Sequence, residues 1–269
     1  GGNFDAPVSK FLGNKKPNNF FAIYDRRAQT GFRFFVHDAE HTLLATSFAM
    51  SSGIEENRVH IGHISGNERM TVSSFENFHP QWLHHRLSAH ADYRARFAER
   101  VQKHFFAGGV FTQEAIVERF LQRARQIETA IIAESARWGD AHVETPHSQR
   151  DWQRGIDHLL TDYFPQRGTI VLAQLQDADL FPTLHRAAFL IGGDIVVEPI
   201  RKMLKGAQIT IGNPNANGQI FYTVDGTDPR RANGRPSATA KVASPTTSIA
   251  VEKTSALKAR ILYQGDGAE

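Results

Sequence analysis

Two short runs near the start of the chain carry aromatic and aliphatic residues at strand spacing: NFFAIYD, Asn19 to Asp25, and GFRFFVH, Gly31 to His37. They are separated by the polar RRAQT, with Gly31 as a flexible turn exit, which predicts a β-hairpin of buried strands. Residues 45 to 78 keep no period and contain Gly53, Gly62 and Gly66, so they read as an irregular excursion over the surface. Helical spacing follows. Pro80 suits a first helical position ahead of Trp82, Leu83 and Leu87. Asp92 opens a second helix, in which Tyr93, Phe97, Val101 and Phe105 recur every fourth residue as one apolar stripe, and Ala107 to Gly109 end it. Thr112 is a good N-cap for a third helix, with Ile116, Phe120, Ile127 and Ile131 on its stripe, Trp138 near its end and Gly139 as its stop. A last helix, about Ser148 to Tyr163, should end before Pro165. Core packing accounts for these stripes.

Between Phe164 and Lys205 the pattern is broken by Pro165, Pro182, Pro199 and Gly192-Gly193, which predicts a connector that packs without forming a domain. Beyond it, QITI and QIFYTV alternate between turn clusters NPNANG, DGTDP and RANG, and TTSIAV and SALKARILY add two further strands. Such a segment makes a small all-β sandwich. The predicted class is therefore α+β: residues 1–165 helical with a hairpin, 166–204 a connector, and 205–269 the sandwich.

Composition narrows the picture. The 269 residues, 41% hydrophobic, suffice for two domains. The net charge of +3 arises from Lys and Arg scattered among Asp and Glu, without the basic stripe that nucleic acid requires. The absence of cysteine excludes disulfides and thiolate zinc sites. No apolar run approaches the roughly 20 residues of a membrane span. The opening GGNFDAPVSK, without an initiator Met, is expected of a fragment.

Candidate chemistry gathers at the hairpin. In an antiparallel pair the start of the first strand lies beside the end of the second, so Asn19 and Asp38 should emerge at one open end, and Asp5 can reach it from the preceding loop. Asp38 and Glu40 share a parity. If the chain stays extended, both carboxylates face one way and suit a hard cation; otherwise Asp38 caps a turn and Glu40 is solvated. His37 and His41 flank the pair, either lining the same pocket or satisfying backbone carbonyls. His60-x-x-His63 and His84-His85 have ligand-like spacings without an evident third ligand. Arg58 and Arg69 read as phosphate contacts or, more simply, as solvated charge.

GNFD (Gly2 to Asp5), NNFFAIYD (Asn18 to Asp25) and GFRFFVHDAEHTLL (Gly31 to Leu44) together resemble the catalytic segment of the CotH kinase family, whose pattern is roughly GN-x-D, then N-W/F-Y-A, then a strand ending W-D-x-D/E. FAERVQKHFFAGGVFT and IIAESARWGD resemble the helical remainder, so the likeness covers about residues 2 to 165. It implies an N-truncated, atypical kinase-like lobe. Asp5 would be the catalytic-loop aspartate, Asn19 the cofactor-binding asparagine and Asp38 the ligand of Mg²⁺ or Mn²⁺, with Glu40 supporting the ion. The activity implied is transfer of the ATP γ-phosphoryl group to Ser or Thr of a protein. Two departures stand out: PVSKFLGNKKP is inserted between Asp5 and Asn18, leaving Asn14 or Asn18 as rival amides, and His37 replaces the usual Trp. Nothing in the chain matches a glycine-rich or lysine-bearing nucleotide lobe, so the implied activity and its ATP belong to a full-length parent, and this segment alone is expected to be inactive.

GQIFYTVDGTDPR, Gly218 to Arg230, resembles the chitobiase and β-hexosaminidase C-terminal domain, an immunoglobulin-like sandwich with a YT-x-DG-x-DP hairpin. That pairing implies a secreted or surface-attached bacterial protein. The rival expectation is a non-catalytic adhesion or carbohydrate-binding module, in which the sandwich contacts a polysaccharide.

Overall fold

The computed structural model describes residues 1–13, 16–28, 31–44, 51–59, 80–106, 108–196, 200–231, 234–244 and 247–262. His60, His63, Arg69 and most of the expected excursion lie outside these residues. The chain is a mixed α+β protein that divides into two compact units, Gly1–Phe181 and Pro182–Glu269.

In the first unit, β1 (Phe20–Tyr24) and β2 (Phe32–Val36) pair antiparallel, with Phe20 opposite Val36 and Tyr24 opposite Phe32. The expected hairpin is present, but its strands are not buried: Phe32 is 65% exposed, and Phe21, Ile23, Phe34, Phe35 and Val36 are exposed as well. Its apolar rings pack across the strand pair instead, Phe21 stacking on Phe35 with centroids 5.1 Å apart.

Helices α1 (Pro80–Leu87), α2 (Ala91–Phe105) and α3 (Gln113–Trp138) begin where Pro80, Asp92 and Thr112 direct them, and the Thr112 hydroxyl accepts from Ala115 N–H. The α2 stripe is core. Val101 is buried with Leu175 and Leu180, and Phe97 and Phe105 pack against it. The α3 stripe is only partly so: Phe120 meets Phe164 edge-on at 5.1 Å, whereas Ile127 and Trp138 are exposed.

The fourth helix does not end before Pro165. α4 (Gln149–His158) widens into a π-turn, Leu159–Tyr163, and continues as α5 (Phe164–Asp177). Phe164 N–H bonds back five residues to the Leu159 carbonyl, and Pro165 then sits in the first turn of α5, where its missing N–H costs least. The segment expected as a connector is divided accordingly. Its first part completes α5, and from Pro182 it belongs to the second unit, where β3 (Ala188–Ile191) and β4 (Asp194–Ile195) pair about the Gly192-Gly193 turn.

The second unit holds two antiparallel sheets. β5 (Gln208–Gly212) and β8 (Ser248–Ala250) extend β3 and β4 in the order β4-β3-β5-β8, while β6 (Gln219–Thr223) is flanked by β7 (Lys241–Ala243) and β9 (Lys258–Leu262). Alternation sends Ile209 and Ile211 of β5, and Ile220 and Tyr222 of β6, inward. One buried cluster, Ala187, Ile211, Ile220, Tyr222 and Ala243, draws on both sheets.

Candidate functional site

The first part of the loop that precedes the hairpin is buried rather than draped, whereas Phe11 and Leu12 are exposed. Phe4, Val8 and Ser9 are fully enclosed, and Asp5 is 7% exposed. Lys10 N–H bonds the Phe4 carbonyl at 2.9 Å and Asn18 N–H bonds the Pro7 carbonyl at 3.0 Å, so the inserted stretch returns on itself and delivers Asn18 and Asn19 beside Asp5. The amide nitrogens of both asparagines donate to Asp5 Oδ2, at 2.9 Å and 2.8 Å, and the Ser9 hydroxyl donates to Oδ1. Asp5 N–H in turn bonds Asn3 Oδ1 at 2.9 Å. A carboxylate offers about four acceptor positions, so three filled leave one.

The hairpin register places Asp38 as the spacing requires. His37 N–H donates to the Asn19 carbonyl at 3.0 Å, and Asp38 follows directly at the same open end. Asn19 and Asp38 both adopt left-handed backbone, φ 51° and 52°, which Asn and Asp tolerate better than most residues. Glu40 does not share a strand face with Asp38. The left-handed Asp38 ends the extended run, and the chain turns at Glu40 and His41, with Thr42 Oγ1 bonded to the Ala39 carbonyl at 2.8 Å. Glu40 is exposed and lies 3.4 Å from His41 Nε2. The His41 ring packs on Phe4, centroids 4.6 Å apart, which makes it part of the loop's core.

Beneath this lies an ionic network that sequence reasoning missed. Glu56, 1% exposed, accepts Lys10 Nζ at 2.6 Å and Ser52 N–H at 2.8 Å, and Arg58 Nη1 stands 3.7 Å from its other oxygen. Arg58, one of the candidate phosphate contacts, is half-buried beside Glu56, and its guanidinium also bonds the Val8 carbonyl. Burial pulls its pKa down against the opposing pull of Glu56 and Asp5. Arg167, from α5, donates to the carbonyls of Ile54 and Glu56, tying residues 54–56 to the helix. Ser51, Gly53 and Glu56 thus turn inward, while Ser52, Glu55 and Asn57 stay exposed. A faint signal existed: in SSGIEE, Ser52 and Glu56 approximate the capping-box pattern in which a glutamate reaches back to a serine N–H.

Among the described residues, no three His, Asp or Glu side chains converge as metal ligands. Magnesium takes as few as one or two carboxylates and fills its remaining positions with phosphate and water. Asn19 turns its amide nitrogen to Asp5, which leaves its oxygen out of that bond, and the exposed Asp38 follows His37, whose N–H meets the Asn19 carbonyl. No known protein family, curated protein or solved structure matches the chain.

Proposed function

We propose that the first unit holds the catalytic segment of a kinase-like lobe of the CotH type, which in company with a nucleotide-binding lobe transfers the γ-phosphoryl group of ATP to a Ser or Thr hydroxyl of a protein. The observation that supports it is that Asp5 holds the Asn19 amide at 2.8 Å, while at the hairpin mouth the Asn19 carbonyl meets the N–H of His37, the residue before Asp38. Phosphoryl transfer asks a protein mainly for positioning and for oxygens that hold a divalent ion. When bound, Mg²⁺ or Mn²⁺ would neutralise charge on the phosphate oxygens. Asn19 Oδ1 and the Asp38 carboxylate would hold it, while Glu40, turned away beside His41, has no part in holding it.

In this reading the substrate hydroxyl oxygen bonds to the γ-phosphorus while the bond to the β,γ-bridging oxygen breaks, and ADP departs with that electron pair. The acceptor position left on Asp5 orients the hydroxyl and takes its proton. The second unit is read as an immunoglobulin-like sandwich of the chitobiase C-terminal type, and its pairing with a CotH-like lobe suggests an extracellular or surface location. In its YT-x-DG-x-DP stretch, Gly226 has φ +79°, the Asp225 carboxylate accepts Thr227 N–H, and Asp228 accepts Arg230 N–H. These acids serve turns rather than a ligand.

The test is Mn²⁺·ATP binding by calorimetry, with transfer of labelled phosphate, in a full-length protein that includes the nucleotide-binding lobe, with and without Asp38→Ala. Loss of one carboxylate ligand should weaken binding by at least about tenfold and abolish transfer. Equal binding and transfer in both proteins would end the proposal.

A further inference from the structure

We infer that the loop between Asp5 and Asn18 is a clamp on the site and that Ser9 is its positioning residue, fixing Asp5 and, through it, the amides of Asn18 and Asn19. This rests on the reading of Asp5 and Asn19 given above and adds a residue which that reading does not contain. Ser9 is completely buried, and its hydroxyl is committed to Asp5 Oδ1. Its backbone is held independently, by Ser9 N–H to the Lys16 carbonyl at 3.2 Å and by the Val8–Pro17 bridge on the other side. The hydroxyl therefore approaches Asp5 from a fixed frame. Lys10, the next residue, anchors that frame to buried Glu56 at 2.6 Å.

The geometry gives each bond a separate task. A carboxylate can rotate about its Cβ–Cγ bond, and rotation would carry Oδ2 away from both asparagines. A donor fixed on Oδ1 prevents it. With Oδ2 held, Asn18 and Asn19 keep their nitrogens towards Asp5, which leaves their oxygens out of that contact. The acceptor position left on Asp5 is fixed by the same bond. The stretch that separates the aspartate from the asparagines is thus a working part of the site.

The experiment uses the full chain and reads the side-chain amide resonances of Asn18 and Asn19 by NMR in the wild type, Ser9→Ala and Asp5→Ala. Loss of one charge-assisted bond should speed hydrogen exchange at both amides by about tenfold in Ser9→Ala and more in Asp5→Ala. Amides of the second unit, such as those of Asn213 and Asn215, should not change. Under the phosphoryl-transfer reading, Ser9→Ala in the full-length protein also lowers kcat while leaving the nucleotide KM as it was. If Ser9→Ala does not fold, Ser9→Cys keeps the volume with a far weaker donor and serves the same comparison. Asn18 and Asn19 signals that are unaltered by the Ser9 variants, yet altered by Asp5→Ala, would overturn the inference. Amides released by Ser9→Ala, with a full-length protein that binds no nucleotide, would support the clamp and remove only the phosphoryl-transfer reading.

Discussion

Glu56 carries one negative charge into the interior, and the interior answers with Lys10 at 2.6 Å, Ser52 N–H at 2.8 Å and Arg58 at 3.7 Å. Burying a carboxylate without partners costs several kcal/mol, so the three contacts first offset that cost and only then add stability. Their larger contribution is specificity, since residues 51–59 can dock against α5 only in the arrangement that brings Glu56 to Lys10. Glu56→Gln keeps the shape and removes the charge, leaving Lys10 and Arg58 as excess positive charge in a poorly solvated place. We expect a loss of about 3 kcal/mol in the urea unfolding of the first unit, within the range for breaking a buried pair. A loss below about 1 kcal/mol would mean that the network behaves like a surface ion pair.

Among elements, the turn after β6 is tied to β9 by the fork of Arg260, whose Nε and Nη2 each lie 2.6 Å from an Asp228 oxygen. The Arg260 hydrogen bond, aided by Arg230 N–H, holds the Asp228 carboxyl below its ordinary range. A lowered folded pKa means stability that is fully present above the unfolded value, near 3.8, and lost as pH falls through the folded one. Thermal unfolding of the wild type and Asp228→Asn should therefore differ at pH 7 and converge as the pH is taken below 3.8; a gap that stays constant to pH 2 would assign the stability to packing instead. Elements of this kind were legible because their signals are local: Pro80, Thr112, the Tyr93–Phe105 stripe and the Asp225-Gly226 turn each act within a few residues. The β3–β4 hairpin had a local signal too, Gly192-Gly193 between AFLI and DI, with φ of +61° and +95°, but neighbouring prolines made it look like a connector. Pro165 misled because a π-turn can absorb a proline that an α-helix would not. At the site, the Asn19–Asp38 neighbourhood followed from strand pairing, whereas Glu56 meeting Arg167 joins residues 111 positions apart. No local pattern marks that contact, and in sequence Glu56 looks like any solvated acid.

At the scale of the molecule, each unit has its own buried cluster: Val101, Leu175 and Leu180 in the first, and Ile211 with Ile220 and Tyr222 in the second. Hydrophobic burial is the main favourable term in folding, so a change inside one cluster acts on the cooperative unit that owns it. Ile211 is fully enclosed between the sheets, and Ile211→Ala should cost about 2–5 kcal/mol. For a unit of this size each kcal/mol lowers the midpoint by about 4–8 °C. Calorimetry should then show the transition of residues 182–269 shifted well down and that of residues 1–181 unmoved, with Glu56→Gln producing the reverse. The assignment can be checked by which resonances sharpen first on heating: Ile220 and Ala259 in Ile211→Ala, Phe97 and Leu172 in Glu56→Gln. A single transition displaced equally by both substitutions would mean that the two clusters melt as one cooperative unit.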